Sequence, residues 1–228
     1  IREELGLDDP FLERFGQWLW RLLHGALGVS IYTNLPVTHL IAQRIEPTLS
    51  LAFGTIVLAV LVAVPLGTLA AWRMGGWLDR VLSAFSVLGF SVPVFVIGYL
   101  LILLFSMQLG WLPVQGYRRI LEEGIGPWAR HLVLPWITLA MIYVALIARV
   151  TRASVSESLT EDYIRTARAK GIAESAVLMR HALANAAVPI ATVIGIGVAL
   201  LIGGVVVTET VYSIPGLGSL TVEAVLNR

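Results

Sequence analysis

Few residues in this chain have the type and spacing for bond chemistry. Gly89, Phe90, Ser91 and Val92 read as G-x-S-x inside an apolar run, the setting of a serine nucleophile buried in a membrane. Such a serine needs a histidine base within hydrogen-bond reach, and His131, near the edge of another apolar run, is the candidate. A stronger reading is structural: Ser91 stands two residues before Pro93, where a hydroxyl helps to satisfy backbone freed by a proline kink. The four histidines (His24, His39, His131, His181) form no H-E-x-x-H or other close pair. Cysteine is absent, which removes thiolate ligands, disulfides and cysteine nucleophiles together, so no metal site is expected. No G-x-x-x-x-G-K-[ST] loop exists, and the single lysine, Lys170, follows Ala169 rather than glycine. This polypeptide therefore cannot cradle nucleotide phosphates in the usual way. Glu209 is the one acid near an apolar span, and intramembrane ionisable groups are functional candidates because burying charge is costly. With Ser213, Pro215, Gly216 and Gly218 following, it reads as an anchor for the turn where the chain leaves the membrane, solvated by water or an interfacial partner, in preference to a solute contact.

The elements that must position these residues are membrane helices. The 228 residues are 57% hydrophobic and only 14% charged, with a mean hydropathy of +0.82, far from a soluble composition. The net charge of +1 indicates no polyanion or nucleic-acid partner. Four stretches, roughly 49–72, 82–107, 131–149 and 188–210, each approach the twenty or so residues that cross a hydrocarbon core. The fold class expected is all-α and polytopic. Pro135 is placed in the first turn or two of the third span, where proline costs least. Trp72, Trp77, Trp111, Trp128 and Trp136 fall near span ends, as interfacial anchors do. The connections 73–81 and 150–187 hold seven Lys or Arg in 47 residues, against eight in the 89 residues of segments 1–48, 108–130 and 211–228. The positive-inside rule makes the 150–187 loop cytoplasmic, with 1–48 and 211–228 extracytoplasmic and 49–210 the transmembrane core.

That loop is the most patterned polar segment. Ser158 and Glu161 have the S-x-x-E spacing of a capping box, and Asp162 adds negative charge to the first turn of a helix running to about Lys170. Gly171 suits the left-handed position that ends it. A second helical stretch, about 174–187, precedes Pro189. Tyr163, Ala167 and Gly171 lie four apart on one face, an aromatic followed by two small residues, rimmed by Arg165, Arg168 and Lys170. This face can be docked against closely. The alternative is a solvated basic loop that merely obeys the positive-inside rule.

Six segments carry a resemblance across essentially the whole chain: LGLDDPF at 5–11, GALGVS at 25–30, PTLSLA at 47–52, DYIRTARAKG at 162–171, HALANAAVP at 181–189 and ETVYSIPGLG at 209–218. Their order and spacing resemble the dipeptide/oligopeptide/nickel permeases of ATP-binding-cassette importers, and the 150–187 loop resembles the cytoplasmic coupling (EAA) loop of that family. Two departures stand out. Ala26 replaces the family's acid in G-D-L-G, and Arg165, Thr166 and Ala167 occupy the Glu-Ala-Ala positions.

The resemblance implies a multi-pass transport subunit of a bacterial or archaeal inner membrane, with no chemistry of its own. It implies four of six helices here, the first and last being absent. It implies ATPase coupling through Asp162, Tyr163, Arg165, Thr166, Ala167, Arg168, Ala169, Lys170, Gly171, His181 and Asn185. Ser91, Pro93, Pro189, Glu209, Pro215, Gly216 and Gly218 are structural or pathway candidates. The partners implied are a second permease subunit, two cytoplasmic ATPases that bind ATP and Mg, and an extracytoplasmic solute-binding protein; no cofactor is expected on this chain. The solute would be a peptide or a related small solute such as nickel or glutathione. Alternatives from other classes are an ion-coupled secondary transporter and the intramembrane serine protease. The first is disfavoured because no acid or base sits at the centre of an expected span.

Overall fold

The computed structural model describes residues 10–30 and 32–226, and these fold as helices joined by short connections. Residues 5–9 of LGLDDPF lie outside them. An amphipathic helix α1 (Phe11–Leu23) precedes α2 (Val37–Trp72). A sharp turn leads to α3 (Trp77–Ser91), then to α4 (Val94–Leu101), which runs into a π-helical segment, Ile102–Gln108. A loop and the single turn α5 (Ile120–Glu123) lead to α6 (Ile125–Ser158). The short α7 (Asp162–Ala169) follows. One further helix begins as α8 (Glu174–Ala176), passes through a π-helical segment, Val177–Ala182, and continues as α9 (Leu183–Val211). The last element is α10 (Leu217–Leu226).

The spans are longer than their apolar cores. The first extends twelve residues upstream, so residues 37–48 are helix rather than part of a separate N-terminal segment. The third runs through both polar flanks, so Pro135 sits well inside α6 instead of in its first turns. Pro47, Pro65 and Pro189 are likewise interior to helices. Packing against neighbouring helices supplies what a lone helix would lose at each proline. The second span is not one rod: α3 and the helix beginning at Val94 meet at 107°. Val92 is extended (φ −95°, ψ 124°), as a residue before proline must be.

Helix α6 is the hub, packing on α2, α3, α4 and α9. Its main contact is a stripe on α2 at four-residue spacing (Leu51, Thr55, Ala59, Ala63, Gly67, Ala71), every member buried. Lipid tails are as apolar as the helices, so association rests on close packing, and small residues at i and i+4 allow it. A Cβ at Gly67 would lie 2.7 Å from the Ala148 carbonyl oxygen, so the backbones there are already in contact. Trp72, Trp77 and Trp111 are exposed as interfacial anchors should be. Trp128 and Trp136 are not: they are half-buried, stacked edge-on at 5.3 Å, and Trp136 donates its indole N–H to the Ser50 carbonyl at 3.1 Å.

Candidate functional site

The bundle has two polar ends, and each gathers distant parts of the chain. At one end Asp79, in the first turn of α3, accepts two hydrogen bonds from the Arg152 guanidinium, through Nε and through Nη2, the latter at 2.9 Å. It also accepts one from the Gly75 amide at 2.9 Å. Toward the same end, Ile164 and Ala167 of α7 share a buried cluster with Ala71 of α2, Val155 of α6, and Val177, Leu178 and Ala182 at the start of the last long helix.

Local rules explain how α7 forms. Glu161 is its N-cap, with Asp162 supplying negative charge in the first turn. Ser158 is not a cap: it is the final residue of α6, and Glu161 makes no side-chain capping bond, so the expected capping box does not form. At the other end Gly171 adopts φ +74°, the left-handed geometry anticipated for the corner. Arg168 then reaches across that corner to Glu174 with two contacts, 2.8 and 3.2 Å. Arg168 is thus a brace within the chain, whereas Arg165 pairs with Asp162 at 3.2 Å at the exposed start of the helix.

The face proposed from spacing is divided by the structure. Ala167 is 5% exposed and belongs to the internal cluster, while Tyr163 is 38% exposed and Gly171 faces open space. The inward anchor, Ile164, had not been singled out by spacing; it is fully buried. Its signal was available, since it is the one large aliphatic residue among the polar and small residues from Asp162 to Ala169. The outward surface of this helix and its corner comprises Tyr163, Arg165, Thr166, Ala169 and Lys170, all exposed. Two further candidates, His181 and Asn185, lie at the start of the last long helix. Asn185 donates its side-chain amide to the His181 carbonyl at 2.8 Å, where the π-helical segment returns to α-helix. The His181 ring is half-buried.

At the opposite end Glu209 is fully buried, not solvated by water as the sequence suggested. Its carboxylate accepts hydrogen bonds from the Thr48 hydroxyl (2.6 Å) and the Ser219 amide (2.9 Å). The Thr48 oxygen in turn accepts the Leu217 amide at 2.8 Å. Gly216 and Gly218 are glycines because the turn wraps this carboxylate. A Cβ at Gly216 would collide with Glu209, and one at Gly218 would lie 2.7 Å from the Val206 Cα. Arg44 reinforces the same end, meeting Ser219 at 3.3 Å and Glu223 at 3.2 Å. Nearby, Tyr117 donates to Glu46 at 3.1 Å, and burial, joined by the Glu46 charge, holds its phenol above the ordinary tyrosine range. Tyr212, also buried, links α4, α6 and α9 through Thr138 (2.7 Å) and the Gly98 carbonyl (3.3 Å).

The serine and histidine that suggested a nucleophile are each bonded within their own helix. The Ser91 hydroxyl donates to the Val87 carbonyl at 3.0 Å, and His131 Nδ1 meets the Pro127 carbonyl at 2.8 Å. Ser91 therefore caps an earlier turn rather than the Gly89 carbonyl that Pro93 leaves free. Among the described residues no group of three or more His, Asp or Glu could hold a metal.

Residues 63–228 match the family described as binding-protein-dependent transport system inner membrane component. The chain belongs to this family. Over its whole length the permease is 55% identical to a probable peptide ABC transporter permease protein of Sinorhizobium fredii, covering 72% of that relative. It is 44% identical to a putative peptide transport system permease protein of Brucella abortus and 41% identical to a glutathione transport system permease protein of Pectobacterium atrosepticum, again covering the whole chain and 72% of each relative. It is a multi-pass membrane subunit of an ABC importer, and this replaces the ion-coupled and protease alternatives.

Proposed function

We propose that the permease carries a peptide or a related small solute from the extracytoplasmic side to the cytoplasm, by alternating access driven by partner ATPases. The observation that carries this reading is the construction of α7. Ile164 and Ala167 fix the helix to three spans at once, while Tyr163, Arg165, Thr166, Ala169 and Lys170 face outward. A push on the outward face is delivered directly to the start of the last long helix, and through the shared buried cluster to α2 and α6, because close-packed side chains transmit displacement. Each permease subunit of a pair would present one such helix to one of two cytoplasmic ATPases, which supply ATP, Mg and hydrolysis. A solute-binding protein would deliver the solute at the Glu209 end. The names of the relatives support a peptide or glutathione-like solute.

The test is site-directed cross-linking in the assembled transporter. A cysteine at Tyr163 should cross-link to an ATPase subunit, with a yield that changes between nucleotide-bound and nucleotide-free states, and uptake should stop when the ATPases are omitted. Uptake that persists without any ATPase would overturn the reading.

A further inference from the structure

A cavity of about 270 Å³ opens between α3 and α6, lined by Leu82, Ser83, Ser86, Val87, Arg149 and Arg152. It is far roomier than the ~30 Å³ that one water occupies in the liquid. Its charges do not cancel. Arg152 is neutralised by Asp79, but Arg149, one turn away, has no carboxylate within ion-pair distance among the described residues. Arg80, the other cation beside Asp79, is exposed. Ser83 is exposed and free to donate, whereas Ser86 already donates to the Leu82 and Ala145 carbonyls.

The surroundings set the depth of this cavity. Trp72 and Trp77, at the ends of α2 and α3, are 41% and 73% exposed, and the Arg73 guanidinium sits 5.7 Å from the Trp72 ring centre. Tryptophan and arginine at span ends mark the headgroup layer. One to three turns deeper, Val81, Val87 and Leu88 of α3 are also exposed, as lipid-facing side chains are. Arg149 leaves α6 one turn before Arg152 and is exposed, and a long guanidinium side chain of this kind extends along an apolar wall toward the headgroup layer. Such an uncompensated charge is complementary to one group. We propose that this cavity binds the phosphate of an anionic phospholipid headgroup, with Arg149 as the charge partner, Ser83 as a hydrogen-bond donor, and the acyl chains against Val87 and Leu88. Basic pockets between membrane helices recognise headgroups in this way. The clamp beside the cavity ties α3 to α6, and Val155, one turn beyond Arg152, shares a buried cluster with Ile164 and Ala167, so a bound lipid would brace the end of the bundle that carries α7. Under the orientation proposed above this is the cytoplasmic leaflet, but headgroup binding itself does not depend on that orientation or on the identity of the solute.

The full-length permease, assembled with its partners, would be titrated with phosphatidylglycerol and with phosphatidylcholine, and retained lipid read by native mass spectrometry. Phosphatidylglycerol should be retained preferentially. Arg149→Gln should lower its retention about fivefold, the equivalent of the ~1 kcal/mol that one arginine contributes at an anionic surface, and Arg149→Lys should keep most of it. Ser83→Leu, which fills the cavity from an exposed helix position, should lower retention to a similar degree even if Arg149→Gln fails to assemble. Equal retention of the two lipids, or phosphatidylglycerol retention unchanged by both substitutions, would overturn the proposal. Displacement of the lipid by millimolar inorganic phosphate would reassign the cavity to a free anion. Loss of the permease pair in Arg149→Gln with lipid retention intact would assign this face to the second subunit instead.

Discussion

Thr48 and Glu209 face each other across the bundle, the threonine hydroxyl donating to the carboxylate at 2.6 Å. That contact joins the first and last long helices and closes a ring that also holds the Leu217 and Ser219 amides. Glu209→Ala should therefore leave two part-buried donors without their acceptor, each costing no more than about 1–3 kcal/mol, and lower the thermal midpoint of the purified assembly. Glu209→Gln keeps one acceptor oxygen and should fall between wild type and alanine. A midpoint unchanged in Glu209→Ala would show that the ring contributes nothing to stability.

Gly216 lies directly against that carboxylate, so Gly216→Ala should displace Glu209 and resemble Glu209→Ala in thermal midpoint. Gly126, with nothing within 4 Å of its ideal Cβ, is the control, and Gly126→Ala should be neutral. The double substitution Gly216→Ala with Glu209→Ala should be less than additive, because both act on one contact.

Two faces of α7 make opposite predictions. Thr166→Arg adds bulk to an exposed position and should reduce ATPase co-purification while leaving permease levels normal. Ala167→Glu forces a charge into the cluster of Ile164, Val155 and Val177 and should lower the permease level itself. Arg168→Gln loosens a pair whose side chains are 43% and 51% exposed and should cost no more than about 1 kcal/mol. Normal ATPase binding by Thr166→Arg would remove the outward face of α7 from the coupling reading.

Arg152 is the partner of a nearly buried acid, Asp79 being 5% exposed. Arg152→Ala removes two of the three donors to that carboxylate from a pair whose arginine side chain is 32% exposed, and should destabilise by about 1–3 kcal/mol. Asp79→Asn keeps polar contacts to Gly75 and Arg152 and should be milder, as read from melting curves of both variants.

Sidedness can be read directly because the chain has no cysteine. Ser175, in the α8 turn, and Gln115, in the loop before α5, are both exposed and sit at opposite ends of the bundle. In sealed cells an impermeant thiol reagent should label Gln115→Cys rapidly and Ser175→Cys only after permeabilisation. The reverse pattern would invert the orientation.

The sequence by itself determined the membrane class, the all-α architecture, the family and the left-handed corner at Gly171. The family was carried by the order and spacing of six motif segments, and the other three depend on composition, on apolar run length or on a conformation that one residue type prefers, all of which are local. Helix ends were less legible, because α2 and α6 continue through polar flanks that packing, not hydropathy, keeps helical. The break at Pro93 was visible as a proline, yet its 107° bend is set by where α3 and α4 find their neighbours. Only the tertiary structure decided which side of α7 turns inward. Spacing placed Tyr163, Ala167 and Gly171 on one line, but the facing surface from Ala71, Val155 and Val177 buries Ala167 together with Ile164 and leaves Tyr163 outside. The same holds for Glu209: its position near a span end was plain, but its donors come from Thr48 and Ser219, brought together by the fold. A carboxylate becomes tolerable in such a site only when distant donors converge on it, and one-dimensional spacing does not encode that convergence.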